Sequence, residues 1–74
     1  MPEAPAPEPH IHVNGQPQPW RTGLDIATVL AERGVAPEAV ATALNGDFVP
    51  RNVREGTHLQ PGDSLTLFAA IVGG

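Results

Sequence analysis

Two Asn-Gly dipeptides, Asn14-Gly15 and Asn45-Gly46, constrain this chain more than any other feature in it. Asn-Gly between β-prone residues is the preferred centre of a two-residue hairpin loop, because both central positions of that turn need positive φ. Before the first pair stands His10-Ile11-His12-Val13, a short strand. The return arm, Gln16-Pro17-Gln18-Pro19-Trp20, holds two prolines and is expected only as an irregular edge strand, since proline donates nothing to an interior ladder. Trp20 is expected to give the core its one large ring. Around the second pair, Pro37-Glu38 is compatible with the start of a helix. The turn favours instead a strand over Val40–Leu44 that returns through Asp47-Phe48-Val49-Pro50. Alanines at 39, 41 and 43 weaken its β character, and periodicity leaves its buried face open.

Between the hairpins, Asp25 is a good N-cap, Ile26, Val29 and Leu30 fall at helical spacing, and Gly34 is a good residue just past the end. A helix of about two turns is not stable alone, so its apolar stripe must pack on a sheet. After Leu59, Gln60-Pro61-Gly62-Asp63 fits a type II turn, with proline second and glycine third. The stretch from Ser64 to Ile71 is β-rich. It places Leu65, Leu67 and Ala69 on one side and Thr66, Phe68 and Ala70 on the other. Leu65 and Leu67 are expected to face the helix, which leaves Phe68 outward, beside Thr66 and Ala70, as an anchor for a partner protein. The order hairpin, helix, hairpin, turn, strand reads as an α+β fold, a sheet with one helix across it. Residues 1–9 hold four prolines and two glutamates and are expected to form a disordered, polyproline-like arm, with the domain proper at 10–74.

Composition removes several classes of function. Four Lys+Arg against eight Asp+Glu give a formal charge of −4, which argues against binding nucleic acid or an anionic membrane surface. Zero cysteines exclude a disulfide framework, a thiolate metal site and a cysteine nucleophile. All four basic residues (Arg21, Arg33, Arg51, Arg54) are arginines, so no lysine can form a Schiff base. His10 and His12 share a strand face but have no acidic partner at ligand spacing, so a solvent-facing pair is the better reading and no metal is expected. His58 with Asp63-Ser64 belongs to turn chemistry, with no nucleophile elbow, and no catalytic residue is expected. No membrane span or signal peptide is evident, so a cytoplasmic location and a monomer when free are expected.

The terminal Gly73-Gly74 follows directly from a β-rich strand, so it is expected to project as a flexible tip from a rigid body. Residues without Cβ atoms can thread a channel and bring a carboxylate into another protein's active site. A free carboxylate is a poor acyl donor and must first be activated, for example as an acyl-adenylate. Such a protein would be a macromolecular substrate and not an enzyme.

At this point the stretch from His10 to Gly74 resembles the ubiquitin-like sulfur-carrier family, most closely the ThiS carriers of thiamine biosynthesis. The residues that carry the resemblance are Val13-Asn14-Gly15, Ala43-Leu44-Asn45-Gly46, Val49-Pro50-Arg51, Leu59 before Gly62-Asp63, Leu67-Phe68, and Ile71-Val72-Gly73-Gly74. The resemblance implies a ubiquitin-like β-grasp fold, a mixed sheet with one main helix. It also implies that an E1-like adenylyltransferase of the ThiF type uses ATP to adenylate the Gly74 carboxylate. A persulfide relay would then convert it to a thiocarboxylate, which delivers sulfur to a thiazole synthase of the ThiG type. No cofactor would be bound by the chain itself. Gly73 would be the flexible tip, and Thr66, Phe68, Ala70, Ile71 and Val72 the partner-binding residues. The chain departs from the family in its proline arm and in having Asn52-Val53-Arg54 where a tryptophan is common. The alternatives are the molybdopterin-synthase small subunit, whose Pro-Pro pair is replaced here by Ala69-Ala70, and carriers for amino-acid or secondary-metabolite sulfur. A β-grasp interaction or modifier domain is the alternative of another class.

Overall fold

The computed structural model describes residues 8–69. In chain order the elements are β1 (His10–Val13), β2 (Gln16–Pro19), α1 (Ile26–Glu32), β3 (Val40–Leu44), β4 (Asp47–Val49) and β5 (Ser64–Ala69). A single 3-10 turn at Pro37–Ala39 and a six-residue 3-10 segment at Arg51–Gly56 complete the set. Both expected hairpins form, with β1 antiparallel to β2 and β3 antiparallel to β4. At each loop the Asn-Gly pair has positive φ, 51° and 82° at Asn14 and Gly15, 51° and 88° at Asn45 and Gly46. That signature matches a two-residue primed turn, whose twist suits the flanking strands. Pro37-Glu38 starts a 3-10 turn that leads into β3, so the second-helix alternative does not occur.

The strands form one sheet in the order β2-β1-β5-β3-β4. The last strand lies at its centre, parallel to β1 and antiparallel to β3. The proline-bearing β2 takes the outer edge, where its missing N–H groups cost no ladder bond. Expected and observed helix boundaries agree. The Asp25 carboxylate accepts from the Thr28 N–H at 2.7 Å. At the other end the Gly34 N–H donates to Ala31 O and the Val35 N–H to Leu30 O. With Gly34 at φ 70°, this is the paired bonding of a Schellman ending. The type II turn is also present, with Gly62 at φ 89° and the Asp63 N–H donating to Gln60 O.

Ile26 and Val29 of α1 pack with Ile11, Val13, Leu24, Val49, Leu59 and Leu65, and Trp20, Leu44 and Leu67 lie against this cluster. Trp20 is half-buried and donates its indole N–H to Leu59 O at 2.6 Å. The buried face of β3, left open by periodicity, follows from register. Thr42 pairs with Leu67 and Val49, and Leu44 pairs with Leu65, so Val40, Thr42 and Leu44 share the helix side. Ala43 lies on the opposite side, flanked in register by Phe48 and Thr66. Residues 1–7 of the arm fall outside the described residues. Pro9, assigned to that arm, has its carbonyl held by the Trp20 N–H at 2.9 Å, which extends the first hairpin by one residue.

Candidate functional site

The site begins at the centre of the sheet, because β5 is the element that leads toward the terminus. Strand alternation separates its side chains as expected: Leu65 is fully buried, Leu67 packs against the core, and Phe68 stands out at 51% exposed. Thr66 lies beside Phe68 on the open face and is half-buried. Ala70, Ile71 and Val72, expected to bind partners, and the tip residues Gly73 and Gly74 lie outside the described residues.

Register adds a residue to this face that the sequence reading did not assign. Ala43 pairs with both Phe48 and Thr66, and Ala41 pairs with Phe68. Phe48, Ala43, Thr66, Ala41 and Phe68 therefore share the face turned away from α1. Phe48 is 68% exposed. The two alanines of β3 lie between a phenylalanine-bearing strand on either side, an arrangement suited to receiving a protruding apolar side chain. The alanines that weakened β3 as a strand are thus the small residues of this surface. A sequence signal for Phe48 existed: a two-residue turn at Asn45-Gly46 fixes Phe48 opposite Ala43. Its position relative to Phe68 needed the β3–β5 pairing.

The rim is polar. His12 is exposed and pairs in register with Ser64, on the same face as Thr66. His10 shares that face and is half-buried. On the helix side of the sheet, Arg21 and Glu32 form an exposed ion pair at 2.6 Å, and hydrogen bonding to the Glu32 carboxylate raises the Arg21 pKa. His58 stands opposite Asp25 in an isolated bridge, and Asp63 is occupied by its own turn, accepting from the Gln60 N–H.

Behind the face lies a buried polar cluster that the sequence reading did not find. Arg54 is 4% exposed. Its Nε donates to Thr42 Oγ1 at 3.2 Å, and its two terminal nitrogens donate to Pro37 O at 2.8 Å and Val40 O at 2.6 Å. The Thr42 hydroxyl passes the chain on by donating to Val49 O at 3.0 Å. All of these acceptors are neutral, and burial lowers the Arg54 pKa, with Arg51 adding a smaller effect of the same sign. Arg54 thereby ties the segment after β4 back onto β3 and the turn that precedes it.

Comparison with known proteins agrees with this architecture. The model of the ThiS family matches residues 11–74. The crystal structure of a thiamine biosynthesis protein, ThiS, from Geobacter metallireducens is 28% identical. It superposes with a TM-score of 0.73 over 88% of this chain and 99% of the other. The NMR solution structure of a thiamine biosynthesis protein from the same organism, also 28% identical, gives 0.66 over 88% and 87%. No curated protein sequence gives a match. The ubiquitin-like β-grasp fold expected from the resemblance is the fold observed.

Proposed function

The chain belongs to the ThiS family, and from that membership we propose that it carries sulfur for thiamine biosynthesis, as a protein co-substrate and not a catalyst. In this reading the Gly74 carboxylate attacks the α-phosphorus of ATP on a ThiF-type adenylyltransferase, and pyrophosphate leaves. The outer sulfur of a persulfide then displaces AMP to give an acyl disulfide. A second thiol of the relay cleaves its S–S bond, so the terminus becomes a thiocarboxylate and the relay is left as a disulfide. A ThiG-type thiazole synthase then takes that sulfur, in the cytosol. The observation that carries the reading is that the family match runs through Gly73 and Gly74. The absence of cysteine is compatible, since sulfur would ride on the terminal carbonyl and not on a thiol.

The open face of the sheet has a role in the same cycle. Phe68 and Phe48, with Thr66 and the two alanines between their strands, dock on the activating enzyme and aim the tip at its nucleotide. Ala70, Ile71 and Val72 are proposed as further contacts to the same enzyme.

The test is the intact mass of the protein after reaction with ATP, the activating enzyme and a sulfur source. Wild type gains the mass difference between sulfur and oxygen. Deleting Gly74 moves the carboxylate back by about 3.5 Å in an extended chain, out of attacking position. That variant, and one extended beyond Gly74, gain nothing. Sulfur gained by the deletion variant at the wild-type rate would overturn the assignment.

A further inference from the structure

The same two Asn-Gly dipeptides that make the hairpins also grip the central strand from its two flanks. On one side the Asn14 N–H donates to Leu65 O at 2.9 Å, and Asn14 Oδ1 accepts from the Leu67 N–H at 2.8 Å. On the other the Asn45 N–H donates to Ser64 O at 2.7 Å, and Asn45 Oδ1 accepts from the Ser64 N–H at 2.9 Å. Each carboxamide oxygen thus has a backbone N–H aimed at it, the arrangement that polarises a carbonyl and stabilises an oxyanion. Each asparagine is followed by a glycine with no Cβ to shield its backbone nitrogen. Gly15 and Gly46 N–H donate to no backbone or side-chain group among the described residues.

The two sites differ in one respect. Asn45 Nδ2 donates to the Asp63 carboxylate at 3.0 Å. Asn14 Nδ2 has no acceptor among the described residues.

We propose that Asn14 is a site of spontaneous backbone modification in the folded protein, forming a succinimide with Gly15 that opens to isoaspartate and aspartate, and that Asp63 protects Asn45 from the same reaction. The Gly15 nitrogen gives its proton to water or hydroxide and bonds to Cγ of Asn14. The negative charge gathers on Oδ1, under the Leu67 N–H. The Cγ–Nδ2 bond then breaks, and Nδ2 leaves as ammonia with a proton taken from water. Water adds to one of the two ring carbonyls to give either acid. No oxidant or other reactant is needed.

At Asn45 the departing nitrogen must first give up its bond to a carboxylate, and the acid formed would face Asp63 at hydrogen-bond distance with like charge. At Asn14 an aspartate product still meets the Leu67 N–H and faces no carboxylate among the described residues. An isoaspartate there lengthens the backbone by one carbon at the turn. It displaces the N–H that serves Leu65 O and the oxygen that serves Leu67, beside the exposed Phe68.

The test uses the full chain, aged at mildly alkaline pH in its folded state and, in parallel, in concentrated urea. Peptide mapping with fragmentation that separates aspartate from isoaspartate follows both sites. Folded protein is expected to convert Asn14 about tenfold faster than Asn45 or more, the scale of a surrendered hydrogen bond to a charged group. In urea the two rates should converge, since both dipeptides are then Asn-Gly in open chain. Aged folded protein should carry one additional negative charge on anion exchange and show faster amide exchange at Leu67. In Asp63→Asn, judged folded by its circular dichroism, conversion at Asn45 should rise toward that at Asn14. Equal rates in the folded protein, faster conversion at Asn45, or no conversion at Asn14 while the urea sample reacts would each overturn the proposal. None of these outcomes depends on whether the terminus carries sulfur.

Discussion

Arg54 and Phe68 are opposite kinds of exception to simple burial rules. A buried arginine is tolerated because each of its three nitrogens meets an acceptor: two carbonyls and the Thr42 hydroxyl. Arg54→Met keeps most of the volume but strips those acceptors of their partners. It should lower unfolding free energy by about 2–4 kcal/mol, read from urea denaturation. A change below about 0.5 kcal/mol would show that water replaces the guanidinium without cost. Phe68 is a large apolar ring left half in water on the open face. Phe68→Asp should leave thermal unfolding nearly unchanged while weakening binding to the activating enzyme by about 2 kcal/mol or more, measured by calorimetry. If the variant unfolds instead, Phe68 serves the core.

Among the elements, α1 illustrates how little helix is needed when both ends are capped. Its seven residues make too few internal bonds for stability alone. The Asp25 cap, the Gly34 ending and the burial of Ile26, Val29 and Leu30 supply the remainder. Asp25→Ala removes the acceptor of the Thr28 N–H and should cost about 1 kcal/mol, with fraying visible as faster amide exchange at Thr28. Unchanged exchange at that amide would mean that the Asp25–His58 bridge and the Ile26 N–H bond to Thr57 O fix the helix start without the cap. The β3–β4 hairpin depends on a different device, since its alanines contribute little burial. It is fastened from behind by the chain from Arg54 through Thr42 to Val49.

For the whole molecule, a domain this small spends most of its large aliphatic residues on one layer between helix and sheet. The other sheet face therefore remains open along the strand that leads to the terminus, and in the proposed function it is the face a partner would hold while acting on Gly74. The arm stands apart from this economy. Removing residues 1–8 should leave the melting temperature unchanged within error, because they offer no periodic apolar residue to a core. Removing Pro9 as well takes away the carbonyl that accepts from the Trp20 N–H and should cost up to about 1 kcal/mol. A larger loss on removing 1–8 would show that the arm packs on the domain.

Local rules made much of this protein legible from its residues. Positive φ at Asn-Gly, an aspartate cap, a glycine ending and the two-residue alternation of β5 each act within a few positions. The two turns, the helix ends and the outward Phe68 follow from them directly. The edge placement of β2 is equally local, since a proline lacks its donor wherever it is put. The tertiary structure decided what depends on partners distant in sequence. Arg54 is buried because acceptors 12, 14 and 17 positions away converge on it, and nothing in Asn52-Val53-Arg54 announces that. The buried side of β3 and the sharing of one face by Phe48 and Phe68 were set when β5 inserted between the two hairpins. That insertion also turned the loop asparagines into ladder groups for the central strand, a role fixed by which backbone amides arrive opposite them and not by the dipeptide itself.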